Sequence, residues 1–283
     1  MNKKVLISCA LLIALMAPLS YAHRQWLLPS STVLSGDSAW VTFDSVRSNN
    51  IFFANHSAPA LDSVTVTGPD GETVEIHNGI EGEIRTVFDV ELTKQGTYLV
   101  SSGHKGFRAF WMEGEERRRW AGTEVEFISQ GLKEKKDLRL SFSHSPVVSY
   151  VTLGAPSTKV LEPKGECIEI IFEETHPNDL YEAETSNFIV HRYGVPAEGL
   201  EVRIVKGGDR YRNDAGETVF KTGRDGRFSY VWPAAGAYWM NISPPRPPRS
   251  EGGSDRSAGG ESLDGIPYRR SVSLTATLEV LPQ

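Results

Sequence analysis

After position 22, apolar residues alternate with polar ones in short runs, and helical periodicity is scarce. A period of two puts the apolar side chains of a strand on one face, whereas a helix needs a period of about 3.6. Residues 39–44 (Ala-Trp-Val-Thr-Phe-Asp) form such a run, as do 62–67, 73–76, 86–92, 96–100, 107–112 and 138–142. Residues 26–29 read as a short edge strand stopped by Pro29. Pro69-Asp70-Gly71 predicts a tight turn folding 62–67 onto 73–76 as a hairpin. Residues 167–172, 188–190, 200–205, 218–228, 232–240 and 271–280 continue the pattern, and Asp225-Gly226 predicts a second hairpin. Short strands at this spacing predict an all-β chain built from β-sandwiches.

Residues 156–165 turn to Gly, Pro, Ser and Lys, which marks a domain boundary. The expected organisation is an N-terminal β-sandwich over 23–157 and a C-terminal sandwich of immunoglobulin or transthyretin-like shape over 158–283. Residues 113–136 are polar and fit a short helix or a long loop. Arg117, Arg118 and Arg119 follow Glu113, Glu115 and Glu116, so they read as a solvated face of mixed charge. Residues 244–268 are rich in Pro, Gly, Ser and charge, and are expected to form a disordered loop.

Residues 1–22 have the layout of a secretory signal. Lys3 and Lys4 open it, residues 5–19 are almost wholly apolar, and Ser20 and Ala22 are small residues suited to a cleavage site. The apolar run is shorter than the roughly 20 residues of a membrane helix, and no later segment approaches that length. A cleaved, periplasmic protein with no membrane span is the expectation. Cys9 lies inside the apolar run rather than after it, which argues against lipidation. Cys167 is then the lone cysteine of the mature chain and reads as a buried, inert thiol. The net charge of -6 favours no nucleic-acid partner.

Cleavage after Ala22 makes His23 the first residue. A terminal histidine offers an α-amine and an imidazole in one chelate, and nitrogen ligands suit Cu(II) and Ni(II). Cleavage after Ser20 would instead leave a histidine third from the amine, also a site for these ions, but Pro18 disfavours that cut.

Several motifs together resemble the bacterial DUF4198 family, periplasmic proteins related to the NikM-like component of nickel and cobalt uptake systems. They are His23 directly after an export signal, the edge strand 26–29, and a Gly-x-Pro-x-x-Gly turn over 194–199. Thr-x-x-Asp-Gly-x-Phe over 222–228 and Gly-x-Tyr over 236–238 complete the set. The resemblance implies transition-metal handling, with Ni(II), Co(II) or Cu(II) as the ion and an inner-membrane transport component as partner. It carries over one residue, His23. Transporter components of this kind have a membrane segment, so a binding or delivery role is what it leaves here.

Further ligands would come from His56, His104 and His144, all in the first half. His56 and His104 sit in loop-like stretches, where function concentrates. His176 and His191 join only if the two halves meet. Two other functions fit the residues. One is a non-metal envelope module recognising a sugar or protein. The other is a copper-dependent oxidative enzyme, which needs a second histidine and a flat aromatic face, for which Trp26, Trp111 and Trp120 are candidates. No Gly-x-Ser-x-Gly elbow or Cys-x-x-Cys pair is present, so hydrolase chemistry and a zinc motif are not expected, and the chain reads as a binder rather than an enzyme.

Overall fold

The computed structural model describes residues 23–245 and 261–283. The expected signal over 1–22 lies outside them, as does most of the loop expected over 244–268. In chain order the strands are β1 (Arg24–Pro29), β2 (Val33–Leu34), β3 (Ala39–Ser48), β4 (Thr65–Thr67), β5 (Ile76–Glu81), β6 (Thr86–Leu92), β7 (Gly96–Glu113), β8 (Glu116–Gly122), β9 (Arg139–Leu153) and β10 (Ile168–Glu173). They continue with β11 (Thr185–Arg192), β12 (Val195–Pro196), β13 (Glu201–Lys206), β14 (Thr218–Lys221), β15 (Arg227–Val231), β16 (Gly236–Ser243), β17 (Ser262–Leu263), β18 (Ile266–Val272) and β19 (Leu274–Val280). The α-helix α1 (Glu124–Ser129) is short and opens on a capping box, with Thr123 and Glu126 satisfying each other's backbone N–H groups. No helix among the described residues is long and apolar enough to cross a membrane.

Three sheets result. One is four-stranded in the order β1-β3-β6-β5. A second joins β10, β12 and β15, each paired with β11. The third has eleven strands, running β14-β13-β16-β19-β9-β18-β17, with β2, β4, β7 and β8 attached through β9 and β7. The large sheet is a shared wall with a core on each face. On β9, Val148 and Tyr150 join the core that packs on the β10-β11 sheet. Val147, Val151 and Leu153 point the other way, into the core under the β1-β3-β6-β5 sheet. Residues 147–153 are buried without a break, because a strand covered on both faces needs apolar side chains on both.

The all-β sandwich class therefore holds. The large sheet runs through both parts of the chain, on either side of residue 157. β9 lies before that point, yet it pairs in parallel with β19 near the end of the chain, Val147 opposite Thr275. Other expectations change for local reasons. The hairpin expected between 62–67 and 73–76 forms only close to its turn, where Thr67 bridges Thr73 and the Gly68 and Val74 N–H groups donate to the Glu72 and Val66 carbonyls at 2.8 and 2.9 Å, while the other edge of β4 pairs with β7. The Asp225-Gly226 turn forms, but β14 pairs with β13 while β15 pairs with β11. The turn carries the chain between two sheets rather than closing a hairpin. Gly226 has φ +75°, and a Cβ there would meet the Val190 carbonyl oxygen at 2.5 Å. Residues 113–136 hold both β8 and α1, so Arg117 to Arg119 lie on a strand. The end of the expected disordered loop is ordered, with β17 and β18 paired across Asp264-Gly265.

Candidate functional site

Among the described residues β1 is an edge strand paired with β3 alone, Arg24 opposite Ser48 and Gln25 opposite Arg47. Its start is fixed by contacts from the far end of the chain. The Arg24 side chain is 10% exposed and lies 3.6 Å from the Asp209 carboxylate and 3.2 Å from Glu217. Its guanidinium also lies over the Trp239 ring, 5.2 Å from the centroid. The Trp239 indole N–H donates to the Gln25 carbonyl at 3.0 Å, and the Trp26 indole N–H to the Ser48 hydroxyl at 2.7 Å.

The loop after β3 is held by the same acid. Asp209 accepts the Ile51 backbone N–H at 3.0 and 3.1 Å through its two oxygens. Ile51 and Phe52 pack with Trp26, and Phe52 takes a left-handed φ of 56°. The Asn55 side chain closes the loop, accepting from the Asn49 N–H at 2.9 Å and donating to the Asn50 side chain at 3.0 Å. Ser57 then bridges Arg47 on β3 through two backbone bonds of 3.0 and 3.1 Å. One buried carboxylate thus anchors both the residue after His23 and the loop that carries His56.

The outcome is that His23 and His56 meet. Their rings stack with centroids 3.5 Å apart and planes inclined by 6°. Both residues are exposed. The other two sequence candidates are elsewhere. His104 is in no loop. It lies in the middle of β7, paired with Ser145. Cross-strand register puts it on the same face as Ser102, whose hydroxyl receives the Gln25 side-chain amide at 3.4 Å. Its Nε2 is buried, with no hydrogen-bond partner among the described residues. Burial, and next the charge of Arg108, lower its pKa. His144 pairs with Lys105 and so faces the opposite side of the sheet, away from His23. His176 does lie where the two halves meet, but it is consumed in packing. Its Nδ1 accepts the Asn178 N–H at 3.1 Å and its Nε2 bonds the Thr97 hydroxyl at 3.0 Å. Among the described residues no three His, Cys, Asp or Glu side chains gather to hold an ion. The chemistry available is therefore a two-histidine site, which a free amine at His23 raises to three nitrogens.

Of the aromatics considered for a substrate face, Trp26 is 2% exposed, and Trp111 and Trp120 pack against the core cluster around Phe107 and Phe127. Cys167 is buried, donates its S–H to the His144 carbonyl at 3.3 Å, and has its pKa raised by burial, as expected of an inert thiol.

The profile of a domain of unknown function, DUF4198, matches residues 20–243. The chain belongs to the DUF4198 family. This DUF4198 protein matches no curated protein by sequence. Among solved structures it is similar to Salmonella alpha-2-macroglobulin reacted with methylamine, at 11% identity and a TM-score of 0.23, covering 93% of this chain and 15% of that one. It is similar to the D0-D1 domain of intimin at 11% identity and a TM-score of 0.19, covering 90% and 97%. A DUF4785 family protein from Legionella pneumophila aligns at 9% identity and a TM-score of 0.21, covering 76% and 50%. Likeness at this level carries no functional argument.

Two predictions follow from the buried groups. Asp209→Ala leaves the Ile51 N–H unpaired and Arg24 with Glu217 alone, so it should cost about 3 kcal/mol in urea unfolding. A loss below about 1 kcal/mol would contradict the anchoring role. His104, His144 and His176 all have pKa values lowered, first by burial. The folded state then binds fewer protons than the unfolded one. Stability should be full above the ordinary histidine value of 6.5 and decline as pH falls through it. Melting temperatures between about pH 8 and pH 5 check this, and a flat profile would contradict it.

Proposed function

We propose that this DUF4198 protein binds a late transition-metal ion outside the cytoplasm, for uptake or delivery, through His23 and His56. The observation that carries the reading is the contact of the two rings at 3.5 Å, on an exposed edge with a rigid footing. In this reading, export cleavage after Ala22 frees the His23 amine. The amine, the His23 ring and the His56 ring then supply three nitrogens. Stacked rings must turn about their side-chain torsions to converge on an ion, and their exposure leaves room for that. Nitrogen donors and the Irving–Williams order rank Cu(II) first, then Ni(II), then Co(II). A kinship with NikM-like uptake components, and an inner-membrane transport component as partner, fit the same reading. Binding rather than catalysis is favoured because, of the tryptophans considered for a polysaccharide surface, Trp26 is buried and Trp111 and Trp120 are half-buried against the core.

Titration calorimetry of the exported protein with Cu(II) and Ni(II) tests this. His23→Ala and His56→Ala should each weaken binding at least about 100-fold, since each removes a ligand, while the fold persists because both side chains are exposed. One Met added before His23 should weaken binding as well, by displacing the amine. Unchanged affinity in His56→Ala would remove the ring pair as the site, and unchanged affinity in the extended chain would remove the amine.

A further inference from the structure

On the face of β9 opposite the histidine pair lies a pocket of about 210 Å³, between the large sheet and the connecting segment before β10. Leu99, Val148, Ile168, Ile170 and Leu274 give it an apolar floor. Tyr150 lines it and is 7% exposed. Its hydroxyl makes no hydrogen bond among the described residues and is not one of the fully enclosed unpartnered atoms, so it is open to the pocket. Burial raises the pKa of this phenol, so it remains a proton donor.

The charges at the mouth are unevenly committed. Glu166 is paired with Lys105 at 2.8 Å, and Glu162 with Lys159 at 3.2 Å. Glu169 accepts the backbone N–H groups of Lys164 and Gly165 at 2.6 and 2.8 Å. Lys164 also lines the pocket, is exposed, and has no ion-pair partner among the described residues. A rim lysine, a hydroxyl open to the pocket and apolar walls suit a ligand with an anionic end, an apolar body and a hydrogen-bond acceptor. Apolar cavities of about 150 Å³ admit benzene, so this pocket has room for one ring and small polar substituents.

We propose that the pocket binds a single-ring aromatic carboxylate, with the ring on Val148 and Ile170, the carboxylate toward Lys164 and a ring oxygen accepting from Tyr150. The site is independent of the metal reading, and His23→Ala should leave it unchanged. Calorimetry of the full chain with 4-hydroxybenzoate, benzoate and benzylamine tests it. The expected result is binding of both carboxylates and none of benzylamine. Tyr150→Phe should weaken 4-hydroxybenzoate about tenfold and leave benzoate unaffected. Lys164→Gln, at an exposed position that does not threaten folding, should weaken both about tenfold. Absence of 4-hydroxybenzoate binding at millimolar concentration, binding of benzylamine as tight as benzoate, or indifference to both substitutions would overturn the proposal.

Discussion

Asp209 is the point on which the candidate site depends. Its carboxylate is 4% exposed and faces the Arg24 guanidinium, itself 10% exposed. A buried acid and a buried base are costly apart and tolerable together. The same carboxylate takes the Ile51 N–H. Because β1 and the loop after β3 share this anchor, their ends cannot drift independently, and the two exposed histidines beyond them are held at one place. The stacked rings are soft, but what carries them is stiff. The proposed site would gain from that division, since ordering a loose segment on binding subtracts from affinity.

The large sheet explains how residues from opposite ends of the chain reach one another. β9 contributes alternate side chains to two cores, and β19 lies beside it in parallel. β16 follows β19 in the sheet and brings Trp239 under β1. A small core of Trp26, Val46, Ile51, Val205 and Trp239 therefore ties the N-terminal strands to those from the C-terminal part of the chain. Asp209 opens a short 3-10 turn just after β13, a strand of the same sheet, which is why it reaches β1 from so far away in sequence.

Much of this was legible in the residues. Alternation located most strands, and His23 and His56, both considered as candidate ligands from sequence, lie in contact. His104 was misread because Gly103 and Gly106 resemble loop residues. Gly103 instead allows close approach of strands: at φ +131°, a Cβ there would meet the Ser145 carbonyl oxygen at 2.3 Å. The Asp225-Gly226 turn was correctly located, but turn chemistry says nothing about which sheet the next strand joins. β9 was read only over its first residues because a doubly covered strand loses its alternation. Asp209 left no readable signal. It lies after Gly207-Gly208 in a turn, and an acid there is ordinary until its partners 24 and 51 are known.

Native mass spectrometry of the exported protein, with and without Cu(II), tests the central claim most directly, because it reads the first residue and the bound ion together. The account predicts a chain that begins at His23 and retains one Cu(II). A chain that begins at His23 and retains none would contradict it, and the paired rings would then be a feature of the fold alone.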